Sequence, residues 1–527
     1  MAIVLFQVCF RPLLQQELDG SWNHSVEETA YALLILTQAR KVSFFDLLRE
    51  PLEDSIRRGV AFINSHTENP PSRIWVEKVS YSSSILTDSY VLAALKAASS
   101  ESSNNIGWSS WAKSNPAKLE KHVALFHRAP LFSSCPLWEL RGSMVEALLF
   151  KPLLIAKRLN VFPRQGLEGD EKYFNVLPLF WTACNNKCRT FASTNFLYEM
   201  SEISMLNFQL DEFFEASAGP LFQGRMNDLR RIIHLLLPED GSVSFDGSLI
   251  QSSTTNGHHD YVDADSALVI DRLSRFLRHV TQHPNIQKAS DWDRKFLKRE
   301  LRVYLLAHTQ QAEDASRFEG INKSQVSSKS STSATTFFNW VRTTSSDHIS
   351  CPYSFSFISC FLGASLTPEK GTGDCFPSVA EKYLANAVCR HLSCMCRMYN
   401  DVGSAERDLD EGNLNSVEFP EFDNLDTVEN KKMALLGLAQ YERSCLMDAL
   451  GRLDQARLDR NRVSRNPEAI RLGSRRMKIW TMFCDQVDLY GQVYVVQDIS
   501  ARMASGGNEE QTVGSADFGT SQLVAAA

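Results

Sequence analysis

Hydrophobic residues recur along the chain at intervals of three and four residues, and this pattern extends over most of the long segments. The spacing places apolar side chains on one face of an α-helix, whereas the apolar–polar alternation typical of β-sheets is not sustained. We therefore predict an all-α fold. The clearest helices are predicted over residues 27–36, 83–98, 144–159, 266–280, 380–399 and 431–453. Pro152 is expected to kink or divide the third of them.

Three stretches interrupt the helical pattern. Residues 99–115 are rich in Ser and Asn, residues 323–336 have few apolar side chains, and residues 504–527 are small and polar. Such compositions are typical of loops and disordered tails. We predict a helical N-terminal region at 1–120, a large helical domain at 121–503 and a disordered tail at 504–527.

Composition and charge restrict the class of partner. The chain is 43% apolar and 22% charged, with a formal net charge of −7. An acidic balance disfavours nucleic acid, which needs a basic surface. No run approaches the length of a membrane span, and the apolar residues 1–14 lack the features of a signal peptide. The 12 cysteines show no zinc-binding spacing, which favours free thiols in a reducing compartment. A cytoplasmic protein is the expectation.

The first candidate for chemistry is the acidic sequence from Asp211 to Glu215. Residues four apart share one face of a helix, so the Asp211 and Glu215 carboxylates are expected to project together. Two carboxylates at this distance repel each other unless a cation lies between them, and magnesium prefers such oxygen ligands. A solvated acidic helix turn is the alternative interpretation.

The second candidate is the set Asn400, Ser404 and Asp408. Positions four apart drift by only about 40° around a helix, so these three oxygen-bearing side chains form one stripe. The set suits magnesium, with a plain polar helix face as the alternative. A calcium-binding loop is rejected because Gly412 falls one place early and no glutamate follows at the required spacing.

The two oxygen sets are expected to form opposite walls of one pocket. Magnesium ions held there would clamp a diphosphate, draw negative charge onto it and promote its departure from an allylic carbon. The resulting carbocation would need a dry, aromatic cavity. Candidates for its wall are Phe180, Trp181, Phe196, Tyr198, Phe214, Trp340 and Tyr399.

These motifs resemble those of class I terpene synthases. Asp-Glu-Phe-Phe-Glu at 211–215 looks like the aspartate-rich motif, and Asn400, Ser404 and Asp408 match the second metal motif, with Asp in place of the usual Glu. Residues 411–422 (EGNLNSVEFPEF) look like fungal bifunctional diterpene synthases of the copalyl diphosphate and kaurene synthase type. The segment from Gln16 to Trp22 resembles the glutamine-tryptophan repeat of the class II β domain. The resemblance reaches to about residue 500 and implies a class I α domain preceded by a partial β-domain remnant.

The departures from the family narrow the expected function. The Asp-x-Asp-Asp acid of class II cyclisation is absent from the sequence, and Asp263-Ala264-Asp265-Ser266 is its nearest counterpart. The resemblance therefore implies ionisation of a prenyl diphosphate, copalyl diphosphate above all, with about three magnesium ions. A separate class II cyclase would supply that substrate, and the product would be a kaurene-, pimaradiene- or related diterpene.

Three alternatives remain open. The chain could act directly on geranylgeranyl or farnesyl diphosphate. It could be a chain-elongating prenyltransferase, which the Asn-Ser-Asp form of the second motif disfavours. It could also be an inactive truncated helical subunit, or the product of a truncated gene model.

The family also uses a basic residue to sense the diphosphate. Arg342, just before the Ser-Ser-Asp sequence at 345–347, is the candidate because this sequence could be the kinked helix of the fold. A guanidinium there would form bidentate hydrogen bonds with phosphate. Arg397 and Arg407, on either side of the second motif, are the competitors, and a plain surface arginine is the alternative for Arg342.

Overall fold

The structure of the chain is a computed structural model. It describes residues 1–66, 74–76, 79–81, 83–100, 116–163, 171–238, 263–324, 335–366, 373–411, 413–464 and 466–496. These residues form α-helices and short helical turns, with one antiparallel hairpin of β1 (Ile74–Val76) and β2 (Val79–Tyr81). The predicted all-α fold is confirmed.

The helices are numbered in chain order. Those up to residue 236 are α1 (Ala2–Leu14), α2 (Val26–Ala39), α3 (Arg49–Ser65), α4 (Ser84–Ser99), α5 (Pro116–His127), α6 (Leu137–Val161), α7 (Glu171–Lys187), α8 (Thr194–Phe213), α9 (Gly219–Leu221) and α10 (Met226–Leu236). Those from residue 264 onwards are α11 (Ala264–Thr281), α12 (Pro284–Gln287), α13 (Asp291–Ser324), α14 (Phe337–Arg342), α15 (Thr344–His348), α16 (Cys351–Ser365), α17 (Val379–Glu411), α18 (Val428–Ser464) and α19 (Pro467–Val496).

Five of the six segments predicted as helices lie wholly in helices, and the sixth, 83–98, begins one residue before α4. Most of these helices extend further than the sequence pattern indicated. Pro152 does not divide the helix, because α6 runs through this residue, and the alternative expectation of a kink there stays a prediction. Proline removes one backbone donor, but Phe150 and Leu154 on either side of it are fully buried and anchor both halves of the helix. Of the predicted breaks, residues 101–115, 325–334 and 504–527 lie outside the described residues.

The chain divides into two compact units. The first contains Met1–Leu153 and Lys172–Glu199, and the second contains Leu154–Glu171 and Met200–Ala527. The sequence-based boundary near residue 120 and the assignment of the parts to β and α domains stay predictions.

The glutamine-tryptophan-like segment joins the end of α1 to α3 within the first unit. The Gln16 amide donates to the carbonyl oxygens of Gly20 and Ser55, at 2.9 and 2.8 Å. The Trp22 indole donates to the Pro12 carbonyl at 2.9 Å. Gly20 has a φ of +89°, and a Cβ at this position would lie 2.6 Å from the Arg58 carbonyl oxygen, so only glycine fits the turn. These contacts close one side of an apolar core that includes stacked Phe6 and Phe45 rings.

In the second unit, α17 packs against α18 and α19, while α13 packs against α15 and α16. The approach of α17 to α19 is close at Gly403, where a Cβ would lie 2.4 Å from the Tyr494 carbonyl oxygen. None of the helices in the described ranges is both long and apolar enough to cross a membrane.

Candidate functional site

The first acidic motif lies where α8 changes its winding. Asp211 lies in the α-helix, which ends at Phe213, and Glu215 lies in a π-helical turn at Phe214–Ala218. The prediction assumed one continuous α-helix, in which residues four apart share a face. A π turn contains about one more residue than an α-helical turn, so it rotates Glu215 relative to that expectation. Single π turns inside helices occur often at functional sites.

The Asp211 carboxylate is held by two side chains of α13. The Tyr304 hydroxyl donates to Asp211 Oδ1 at 2.5 Å, and His308 Nε2 lies 3.3 Å from the same oxygen. Tyr304 and His308 are four residues apart and therefore share one face of their helix. The His308 ring also stacks on Phe214, with ring centroids 4.4 Å apart. Both neighbours contact Oδ1, so Asp211 is oriented by α13.

The second motif lies entirely on α17, with its three predicted ligands at different depths. Asn400 and Asp408 line a cavity, whereas Ser404 is fully buried. The Ser404 hydroxyl donates to Asp408 Oδ2 at 2.6 Å. In this arrangement Ser404 lies behind Asp408 and orients its carboxylate.

One cavity of about 850 Å³ brings the two motifs together. Glu215 of the first motif lines it together with Asn400 and Asp408 of the second. Its charged and ionisable lining residues are Glu215, Arg225, His308, Glu313, His348, Arg397, Arg407 and Asp408. Among the residues that the structure describes, no three His, Cys, Asp or Glu side chains are close enough together to hold a metal ion.

A buried ion pair supports the cationic side of the cavity. Arg397 Nη2 lies 2.7 Å from Asp401 Oδ1, and its guanidinium lies 5.6 Å from the centre of the Trp340 ring. Burial raises the pKa of Asp401 to about 6, while Arg397 acts in the opposite direction. Burial, with His308 and Arg397 nearby, holds the pKa of His348 well below its usual range, so this imidazole is neutral at neutral pH.

The structure does not bring Arg342 to this cavity. Its side chain is 62% exposed and lies 3.7 Å from Glu442 Oε1. The helix is interrupted at Thr343, between α14 and α15, whereas the Ser-Ser-Asp sequence at 345–347 lies inside α15. Arg342 ends α14, and its side chain extends towards Glu442 and solvent. Arg397 and Arg407, the competing candidates, both line the cavity.

The expected aromatic wall is mostly absent from the lining of this cavity, to which only Phe214 of the seven candidates contributes. Phe180, Trp181 and Phe196 are buried residues of the first unit. Trp340 packs on Phe419, with ring centroids 4.9 Å apart. These side chains fill hydrophobic cores, where large aromatic residues bury the most surface.

Sequence reasoning missed Tyr304, His308, His348 and Asn415. The spacing of Tyr304 and His308 places them on one helix face, but no sequence pattern connects that face to Asp211. Asn415 could have been found, because Asn followed three residues later by Glu418 is a capping signal, and the structure shows both hydrogen bonds of the capping box.

Comparison with known proteins gives relatives along almost the whole chain. The chain is 37% identical over 513 residues to the Ent-kaur-16-ene synthase of Fusarium fujikuroi, covering 95% of the chain and 52% of that protein. It is 38% identical over 532 residues to the Phyllocladan-16-alpha-ol synthase of Phomopsis amygdali, with the same two coverages. It is 39% identical over 528 residues to the Pimaradiene synthase pbcA of Emericella nidulans, covering 94% of the chain and 51% of the relative.

The chain is thus similar along almost its whole length to fungal diterpene synthases. It spans about half the length of these curated relatives. No protein-family model and no solved structure matches it.

Proposed function

We propose that the chain is a magnesium-dependent class I diterpene cyclase. The observation that carries this proposal is the shared cavity, which Glu215 of the first motif lines together with Asn400 and Asp408 of the second. Residues far apart in sequence bring oxygen atoms to one space that is also lined by three arginines, Arg225, Arg397 and Arg407. This combination suits a diphosphate bound through divalent cations.

The donor set fits magnesium. Asp211, Glu215, Asn400, Ser404 and Asp408 offer only oxygen atoms, which hard divalent cations prefer. Glu215, Asn400 and Asp408, which line the cavity, would hold the ions together with Asp211, and diphosphate oxygens would complete the coordination. Ser404 would contribute by orienting the Asp408 carboxylate. Bound magnesium would neutralise the diphosphate and make it a better leaving group.

The chain's own residues supply binding and shielding. Arg397 is preorganised by Asp401 and faces the cavity, so we assign to it the diphosphate-sensing role that the sequence suggested for Arg342. Arg407 adds a second positive charge at the cavity lining. Phe214, Leu229 and Leu414 provide apolar surface beside these charges, which limits access of water to a carbocation.

The relatives' names guide the choice of substrate. They are named for making ent-kaur-16-ene, phyllocladan-16-alpha-ol and pimaradiene, so we propose copalyl diphosphate as substrate and a related diterpene as product. A separate class II cyclase would supply that substrate, and the cytoplasm is the proposed compartment. Direct use of geranylgeranyl or farnesyl diphosphate is the alternative within the same chemistry.

The direct test is product analysis with the purified chain. With magnesium, we expect it to convert copalyl diphosphate of one stereochemistry into a hydrocarbon or alcohol detected by gas chromatography, and to release diphosphate. Asp211→Asn should reduce diphosphate release by at least 100-fold while the melting temperature stays near that of the wild type. If the wild type binds copalyl and geranylgeranyl diphosphates but converts neither, the chain is an inactive helical subunit.

The two arginine assignments are separable in the same assay. Arg397→Lys keeps the charge but loses the planar fork, so the KM for the prenyl diphosphate should rise about tenfold. Arg342→Ala removes an exposed side chain, and KM should change by less than about twofold. A larger effect at Arg342 than at Arg397 would restore the original assignment.

A further inference from the structure

A short turn follows the helix that carries the second motif. We name residues 413–418 the post-motif turn; it includes a 3₁₀ helix at Ser416–Glu418. Asn415 and Ser416 are both fully buried. The Lys431 ammonium of α18 donates to the Val417 carbonyl at 3.2 Å and fixes the turn from its other side. The turn is therefore a defined part of the second unit.

Asn415 contacts the motif at two points. Its amide nitrogen donates to Asp408 Oδ2 at 2.8 Å and to the Asp401 carbonyl oxygen at 3.1 Å. Its amide oxygen accepts from the Val417 backbone N–H at 3.2 Å. The Ser404 hydroxyl donates to the same Asp408 oxygen. Two donors thus occupy Oδ2 of Asp408, whereas Oδ1 makes a longer contact, with Arg407 Nη2 at 3.5 Å.

Ser416 contacts the motif at a different carboxylate. Its hydroxyl and its backbone N–H both donate to Asp401 Oδ2, at 2.5 and 3.2 Å. The other oxygen of Asp401 pairs with Arg397. The post-motif turn therefore supports the Asp408 carboxylate directly and the Arg397 guanidinium through Asp401. Asp408 and Arg397 both line the cavity.

We propose that Asn415 and Ser416 are positioning residues for the diphosphate site. Asn415 turns Asp408 so that Oδ1 is available to a metal ion, and Ser416 fixes Asp401 so that Arg397 is held against the diphosphate. The proposal rests on the proposed function, because it assigns a metal to Asp408 and a diphosphate to Arg397. Residues that orient metal ligands commonly change metal affinity by 10–100-fold when they are replaced.

A purely structural role is the competing explanation, since Asn415 also caps the 3₁₀ helix. Asn415→Ser separates the two roles, because serine is as good a cap as asparagine but its side chain is too short to reach Asp408. We expect this variant to melt within about 5 °C of the wild type. The matched control is Asn461→Ala, which removes a buried amide outside the post-motif turn, on α18. Asn461 lies 30 residues beyond Lys431, or about 45 Å along a straight helix.

The probe is magnesium with inorganic diphosphate, and its binding to the whole chain is measured by titration calorimetry. Asn415→Ser should weaken magnesium binding by at least tenfold at a fixed diphosphate concentration, and the half-saturating magnesium concentration for turnover should rise in parallel. Ser416→Ala should weaken diphosphate binding by about tenfold at saturating magnesium and leave the magnesium midpoint unchanged. Asn461→Ala should bind both as the wild type does.

The outcomes separate this inference from the proposed function. If the wild type neither binds diphosphate with magnesium nor releases it from a prenyl substrate, the proposed function fails. If the wild type does both and folded Asn415→Ser has the magnesium affinity of the wild type, the role of Asn415 is overturned. If Asn415→Ser unfolds, the magnesium affinity of Asn415→Asp is the test instead. This variant keeps the size and the cap but places a second carboxylate against Asp408, so an affinity equal to that of the wild type would overturn the role of Asn415. Equal weakening by Asn461→Ala would overturn the inference as well.

Discussion

Asp211 illustrates how one ligand depends on a distant helix. Its carboxylate accepts a hydrogen bond from Tyr304, whose hydroxyl stays protonated because burial and the adjacent Asp211 raise the pKa of this side chain well above its usual range. Tyr304 therefore acts as a permanent donor to one oxygen of the acid. A neighbouring ring, Tyr353, stacks on Tyr304 with centroids 4.9 Å apart. The Tyr353 hydroxyl has no hydrogen-bond partner among the described residues.

This pair provides a matched test of ligand orientation. Tyr304→Phe should raise the magnesium concentration for half-maximal diphosphate release by about tenfold, because it removes a donor that orients a ligand. Tyr353→Phe removes an equally buried hydroxyl that donates no hydrogen bond to Asp211, so the magnesium midpoint should stay within about twofold. Magnesium titrations of both variants at saturating substrate provide the measurement. Equal shifts in the two variants would show that loss of packing, not of the Asp211 hydrogen bond, is responsible.

At the scale of single residues, the sequence could indicate which side chains would serve as metal ligands. It could not indicate which other residues orient them. The spacing of Asn400, Ser404 and Asp408 is a local property of one helix, and local periodicity predicted it. The choice between Arg342 and Arg397 depends on which helix faces the cavity, and no local pattern contains that information. Asn415 could be inferred as a cap, but its contact with Asp408 depends on how the turn folds back onto α17.

At the scale of elements, the close approach of α17 to α19 is as important as the motif itself. Gly403 lies between Asn400 and Ser404, and a side chain there would meet the backbone of Tyr494. Backbone cannot move aside as the end of a flexible side chain can. The distance between α17, which carries the second motif, and α19 is therefore set by a backbone contact that only glycine permits at position 403.

Gly403→Ala should destabilise the second unit by about 1–3 kcal/mol, because the added methyl group forces α17 and α19 apart. The displacement occurs within the motif, so diphosphate release should fall as well. Gly437→Ala on α18 is the control, since a Cβ there meets nothing within 4 Å and the position is exposed. Alanine should stabilise that helix by about 0.5–1 kcal/mol. Urea unfolding of both variants is the measurement, and a Gly403→Ala variant as stable as the wild type would contradict the close approach.

Helix positions were predictable because amphipathic periodicity repeats over many residues. Helix ends and irregular windings were not. The π turn after Phe213 has no counterpart in the hydrophobic pattern, and the continuation of α6 through Pro152 depends on burial on both sides of the proline. Tertiary packing overrides local preference at both places.

At the scale of the whole molecule, both units bury carboxylates, and burial shifts many of them in the same direction. Burial raises the pKa of Glu146 in the first unit and of Glu300 and Asp488 in the second. It also raises that of Asp293 to about 6. Glu202 is an exception: its pKa is lowered because His279 and Lys157 outweigh the effect of burial. Where the carboxyl groups with a raised pKa dominate, the chain takes up protons when it folds. The free energy of unfolding should then increase as pH falls from neutral towards 5.

Asp293 allows this to be tested at one site. Its side chain accepts the Cys375 backbone N–H at 2.9 Å and is 3% exposed, so burial raises its pKa from 3.8 to about 6. The folded chain then binds a proton more tightly than the unfolded chain does. The resulting stabilisation is complete below about pH 4 and is lost as pH rises through about 6. Between pH 7.5 and pH 5, Asp293 alone should add about 1.4 kcal/mol to the free energy of unfolding.

Asp293→Asn keeps the shape and one acceptor oxygen but cannot titrate, so it should remove this part of the pH dependence. Relative to the wild type, the variant should gain about 1.4 kcal/mol in stability on going from pH 5 to pH 7.5. Asp448→Asn is the control, because the Asp448 side chain is 63% exposed and pairs with Arg452 on the surface of its helix. Its stability relative to the wild type should be the same at both pH values, as followed by urea unfolding. If the difference in stability between Asp293→Asn and the wild type were the same at pH 5 and pH 7.5, Asp293 would be ionised in the folded chain even at pH 5. Lys382 and the Cys375 N–H would then compensate for its burial.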